Sequence, residues 1–134
     1  FVREWGERDF VFYERFRSGE IVAGNYAMQV SVTTARFLRQ WEAHEPYMDH
    51  VPFSNWDNGA LHTHLVTYLR KDLPHPDGAD VARIVLRLYQ RSYTLAHYDR
   101  FVARAKFALG PKRDFGRVLI QRRGQGFCVD DDFY

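Results

Sequence analysis

Apolar and polar positions alternate in two periods along this chain, and the change of period marks its elements. Asp9 to Phe16 places Phe10, Phe12 and Tyr13 against polar neighbours and predicts a short strand. Arg17-Ser18-Gly19-Glu20 reads as a turn. Ile21 to Val32 is β-branched and weakly alternating, which predicts a strand or strand pair. Gly24-Asn25 interrupts it, as a bulge or a close backbone approach would. The period then becomes helical. Thr33 or Thr34 caps a helix to about His44, with Phe37, Leu38 and Trp41 as its apolar stripe. Pro46 ends it, and Tyr47 to Trp56 is a loop. A second helix runs from Asn58 to about Arg70, with Leu61, Leu65, Tyr68 and Leu69 at helical spacing. After the LPHPDG break, Val81, Ile84, Val85, Leu88 and Tyr89 fall at i, i+3, i+4, i+7 and i+8 of a third helix. A fourth spans about Thr94 to Leu109, with Tyr98, Phe101, Val102 and Ala105 inward and Gly110-Pro111 as its stop. Arg117 to Arg123 predicts a strand and Gly124-Gln125-Gly126 a turn. Strands at both ends around a helical middle predict an α/β or α+β domain.

Composition narrows the class. The chain has 134 residues, a length that fits one domain or part of a larger one. Aromatic residues make up 16%, which points to a heavily packed core or to a cleft that stacks on rings or sugars. A net charge of +2 is too small and too dispersed for nucleic-acid binding. One cysteine, Cys128, leaves no internal disulfide. No apolar run approaches the roughly 18 residues that span a bilayer. The chain starts at Phe1 and stops at Tyr134 amid apparent structure, so it reads as a fragment.

The candidate chemistry gathers at Trp56-Asp57-Asn58-Gly59-Ala60-Leu61-His62. Asp57 reads as an N-cap whose carboxylate accepts the amides of Gly59 or Ala60. Gly59 costs about 1 kcal/mol against Ala in a helix interior. Its bare backbone admits another group. An acid, an amide and open backbone therefore meet at a helix N-terminus, which favours anions and polar ligands. An ordinary capped helix start accounts for the same residues.

Other signals are weaker. His62 and His64 would share a metal on a strand, but on a helix they diverge by about 200°. The helix is the expectation, so this pair makes no metal site. His64 reads as a packed histidine. Asn58 and His62, four apart, share another face and can line a cleft. Asp130-Asp131-Asp132 after Phe127-Cys128-Val129 reads either as a cation-binding D-x-D or as a solvated acidic run. Phosphate-loop, dinucleotide and nucleophile-elbow motifs are absent. Asp49-His50 and Asp99 stand without a motif.

Four segments together resemble a known family. They are Phe12-Tyr13-Glu14-Arg15-Phe16, Ala23-Gly24-Asn25-Tyr26, Ala35-Arg36-Phe37-Leu38-Arg39-Gln40-Trp41 and Asp57-Asn58-Gly59-Ala60-Leu61-His62. They look like a eukaryotic domain-of-unknown-function family grouped with the GT-A nucleotide-diphospho-sugar transferases. Gly124-Gln125-Gly126-Phe127 with Asp130 and Asp131 resembles that family's G-x-G-W-x-R-D segment, though Phe127 replaces Trp and Val129 stands where Arg is usual. There is a lesser likeness to α-1,2/α-1,6 galactosyl- and mannosyltransferases.

The resemblance implies a partial GT-A-like domain, a mixed sheet with flanking helices forming the acceptor-side, C-terminal half over residues 1–134. It implies transfer of a sugar from a nucleotide-sugar donor to a hydroxyl of a glycan or protein acceptor, in the Golgi or secretory lumen. Gly24 and Asn25 would border the donor sugar. Asp57 and Asn58 would be catalytic. Trp56 would stack on a sugar face, with Gly59 and His62 among the substrate-binding positions. A divalent cation, Mn or Mg, is expected for the full-length enzyme. Its ligands would lie outside this chain, since Asp130-Asp131-Asp132 falls at the wrong end of the alignment. The other expectation is a non-catalytic carbohydrate- or protein-binding domain on the same scaffold.

Overall fold

A computed structural model describes residues 6–15, 18–44, 56–74 and 78–122. The expected loop from Tyr47, the pair Asp49-His50, the turn Gly124-Gln125-Gly126, Cys128 and Asp130-Asp131-Asp132 lie outside the described residues. Mixed α/β structure is present, with a three-stranded mixed sheet and four helices among the described residues. The chain divides into two compact units, Phe1–Arg39 with Arg113–Tyr134, and Gln40–Lys112.

The first unit is built on β1 (Phe10–Tyr13), the central strand of the order β2-β1-β3. β2 (Ala27–Met28) pairs with it antiparallel, Phe10 opposite Met28. β3 (Val118–Gln121) pairs parallel, with Phe10 opposite Val118 and Tyr13 opposite Gln121. All four residues of β1 are buried. Covering both faces of a central strand demands a continuous apolar run, and Phe-Val-Phe-Tyr supplies one. Phe10 and Phe12 project to one face, where their rings lie 4.3 and 6.2 Å from that of Phe37. Phe37 is carried by α1 (Val32–Glu42), where Thr34 and Phe37 are buried and Leu38 and Trp41 half-buried.

The ends of β1 carry buried carboxylates. Asp9 accepts from Arg117 Nη2 and Nε at 2.7 and 3.1 Å. Glu14 accepts from Arg113 Nε at 2.7 Å. Burying a carboxylate is costly without such partners, so the two arginines fix the segment before β3 against both ends of β1.

Three expectations change here. Ile21 to Val32 is neither a continuous strand nor a pair of full strands. Ile21, Val22 and Ala23 are buried, but Ile21 makes only an isolated bridge to Glu14. Residues 23–25 bend, and the strand proper is two residues long at the sheet edge. Gly24 is neither a bulge nor a close approach, because a Cβ there would meet nothing within 4 Å. The cap of α1 is Ser31, not Thr33 or Thr34. Its Oγ accepts the Thr34 N–H at 3.1 Å while Thr34 Oγ1 accepts the Ser31 N–H at 3.0 Å, a reciprocal capping box.

The second unit packs α2 (Trp56–Tyr68), α3 (Gly78–Gln90) and α4 (Leu95–Leu109) against one another. α2 is buried on every side from Asn58 to Val66. Its polar side chains therefore turn to the helix's own carbonyls: Thr63 Oγ1 donates to Gly59 O at 3.2 Å and Thr67 Oγ1 to Thr63 O at 3.0 Å. α4 matches its pattern, with Tyr98, Phe101, Val102 and Ala105 buried. Gly110 ends it at φ 74°, a conformation open to glycine, and a Cβ there would lie 2.9 Å from Pro74.

α3 is rotated relative to the expectation. Ala82, Val85 and Tyr89 face inward, whereas Ile84 and Leu88 are 45% and 36% exposed. The apolar arc of this helix is wider than its neighbours cover, so one flank stays in solvent. No helix among the described residues is long and apolar enough to cross a membrane.

Candidate functional site

The stretch singled out by sequence forms the first two turns of α2. The helix begins at Trp56, so Asp57 sits within its first turn and is not the N-cap. The Asp57 carboxylate accepts the Asn58 N–H at 2.8 Å, rather than the amides of Gly59 or Ala60. That bond holds an exposed carboxylate at the N-terminal end of the helix. No basic side chain among the described residues pairs with it.

Behind Asp57 the expected contacts turn inward. Asn58 is 3% and His62 0% exposed. His62 Nδ1 lies 2.7 Å from the Asn58 carbonyl oxygen, so the ring donates there and its edge meets Phe101 at 6.2 Å. Asn58 and His62 are therefore buried rather than lining an open cleft. The physical cause is the all-round burial of α2. His64 is packed, as its spacing suggested, 5.4 Å from the His44 ring and 6.0 Å from Tyr68. Burial holds the His44 pKa below the ordinary histidine value.

Gly59 also changes role. Its missing side chain leaves room for Tyr89, not for a ligand: a Cβ there would lie 2.4 Å from Tyr89 Cε2. Tyr89 is fully buried, its ring 5.0 Å from Phe101. Burial raises the Tyr89 pKa well above its usual value, and the negative charge of Asp57 adds to this. The phenol stays protonated across the physiological range. Sequence reading placed Tyr89 only in a core stripe; the signal that could have found it is a glycine in the second turn of a buried helix, which implies a bulky neighbour.

Gly24 and Asn25 belong to the first unit and are exposed in the bend before Tyr26. Asp57, Asn58, Gly59 and His62 are together in the second. The side chain of Trp56 lies outside the described residues. Among the described residues no three His, Cys, Asp or Glu side chains gather around a point where a metal ion could sit.

Chemically, the site offers an exposed carboxylate as a hydrogen-bond acceptor. An ionised carboxylate accepts hydrogen bonds only, so it selects hydroxyl and amide donors. No curated protein and no solved structure matches the chain. A family model matches residues 2–133, and on that match the chain belongs to the family described as "Protein of unknown function, DUF273".

Proposed function

We propose that this chain is the acceptor-side part of a GT-A-like glycosyltransferase, which moves a sugar from a nucleotide-sugar donor to a hydroxyl of a glycan or protein. The observation that carries the reading is Asp57, an exposed carboxylate fixed by the Asn58 amide at the head of a buried helix and free of basic partners among the described residues. A carboxylate held this way can orient or accept a proton from a sugar hydroxyl. Asn58, Gly59 and His62 act in this reading by holding the helix that presents it. Gly24 and Asn25 offer exposed backbone and an amide to sugar hydroxyls. The described residues supply no ligand set for a divalent cation, and the reading assigns them none.

The test is Asp57→Asn in the intact protein, with nucleotide release measured over a panel of sugar nucleotides. Losing the charge weakens a charge-assisted hydrogen bond to a neutral one. A rate loss of about 10- to 1,000-fold is expected, at 1.36 kcal/mol per decade. Stability should change by no more than about 1 kcal/mol, the scale of a charge at a helix terminus. Full turnover in Asp57→Asn removes Asp57 from the mechanism. Glycan binding without turnover by the native protein would instead make this a carbohydrate-binding domain.

A further inference from the structure

The exposed flank of α3 continues into a basic concavity. The connector from α3 to α4 is tied at each step. Ser92 Oγ donates to Leu88 O at 2.7 Å, the Tyr93 N–H to Arg91 O at 3.0 Å, and the His97 N–H to Thr94 Oγ1 at 3.2 Å. This fixed path sets Arg91 and Tyr93 beside the first two turns of α4, where His97 and Arg100 are three residues apart on one face. With Leu88 they line an open cleft of about 440 Å³. That volume lies within the range of small-molecule sites, about 300–1,000 Å³.

The lining is basic. Arg8, Arg15, Arg83, Arg113 and Arg117 each pair with a carboxylate. Arg91 and Arg100, like several other exposed arginines, have no ion-pair or side-chain hydrogen-bond partner among the described residues, and among those residues no carboxylate lines the cleft. Asp99, the one acid on the first two turns of α4, is not in the lining. Two guanidinium groups brought to one concavity repel each other, and an oxyanion accepting from both relieves that repulsion. Tyr93 is 58% exposed and Leu88 36%, so a ring-sized apolar surface adjoins the charges.

We propose that this cleft binds a phosphomonoester carried on a ring, with the phosphate on Arg91 and Arg100 and the ring against Tyr93 and Leu88. His97 adds a third donor to the phosphate. The site is separate from Asp57, and the proposal stands whether or not the protein transfers sugars.

Calorimetric titration of the intact protein with a hexose 1-phosphate, phenyl phosphate and inorganic phosphate tests it. Saturable binding is expected for a ring phosphate, about 10-fold or more tighter than for inorganic phosphate. The tighter of the two ring compounds tells whether a sugar or an aromatic ring is preferred. Arg91→Ala and Arg100→Ala should each weaken binding about 10-fold or more, as loss of a charge-assisted bond implies. Tyr93→Ala should erase the advantage of the ring compounds while inorganic phosphate binding persists. Arg104→Ala, on α4 but outside the lining and stacked 5.2 Å from the Phe107 ring, should bind as the native protein does. No saturable binding overturns the proposal. So do equal affinities for ring and inorganic phosphate, or equal weakening by Arg104→Ala. Far-ultraviolet circular dichroism of each variant checks the fold; these side chains are exposed and their removal leaves the core intact.

Discussion

Gly59→Ala separates a glycine kept for a ligand from one kept for a neighbouring ring. In an isolated helix the change would stabilise, by up to about 1 kcal/mol. Here the new Cβ would lie 2.4 Å from Tyr89 Cε2 and 3.0 Å from Cζ. Carbon atoms at rest sit about 3.5–4.0 Å apart, so ring or helix must shift by more than 1 Å. Tyr89 has no solvent to move into, being 0% exposed, and its ring centroid is 5.0 Å from that of Phe101. Overpacking of a tight core costs about 1–3 kcal/mol, and a contact as short as 2.4 Å puts this change in the upper part of that range, about 2–3 kcal/mol. Subtracting the helix gain leaves a net loss of about 1–2 kcal/mol. For a chain of this size that is a fall in Tm of roughly 3–10 °C. Thermal unfolding of Gly59→Ala, Tyr89→Leu and the double variant gives the answer. The double variant should recover part of the loss, with a coupling energy of about 1 kcal/mol, because leucine has no atom where Cε2 sits. A Gly59→Ala protein that melts at or above the native temperature would refute the close approach. The bare backbone of Gly59 would then again be available for a ligand.

Two further outcomes follow from buried charge. Arg113→Met removes the 2.7 Å bond to Glu14, whose side chain is 6% exposed, and should cost about 2–4 kcal/mol in denaturant unfolding; a loss below about 0.5 kcal/mol would show that the pair contributes little. His44 has its pKa lowered by burial beside the His64 ring, so the unfolded chain takes up its proton first as pH falls. Stability from this group is complete above the ordinary histidine pKa and is lost as pH drops toward the folded value, by at most about 1.4 kcal/mol per pH unit. His44→Gln should flatten that slope, and an unchanged slope would assign it to another group.

The helices of the second unit were legible because their cause is local. Leu61 and Leu65, Val85 and Tyr89, and Tyr98, Phe101, Val102 and Ala105 recur at the helical period, and all are buried. Gly110-Pro111 is a stop that any helix would obey, and it ends α4. β1 was legible as a strand, but its central place was not. Whether an apolar run has one neighbour or two depends on segments far along the chain. The pairing of Phe10 with Val118, and the bonds from Arg113 to Glu14 and Arg117 to Asp9 across 99 and 108 residues, leave no trace in local pattern.

The same limit governed the site. Asp57, Asn58, Gly59 and His62 were correctly gathered at one helix start, since four residues of separation is one turn. Which of them meets solvent was decided by what packs on α2. Tyr89 takes the space at Gly59, Asn58 and His62 are buried with the His62 ring bonded to the Asn58 carbonyl, and Asp57 is left outside. For α3, periodicity defined an apolar arc, and only the positions of α2 and α4 determined that Ile84 and Leu88 fall beyond its covered part. The basic cleft between the end of α3 and the start of α4 arises in the same way. Its residues carry no spacing signal as a set, because a turn brings them together and a periodic pattern does not describe a turn.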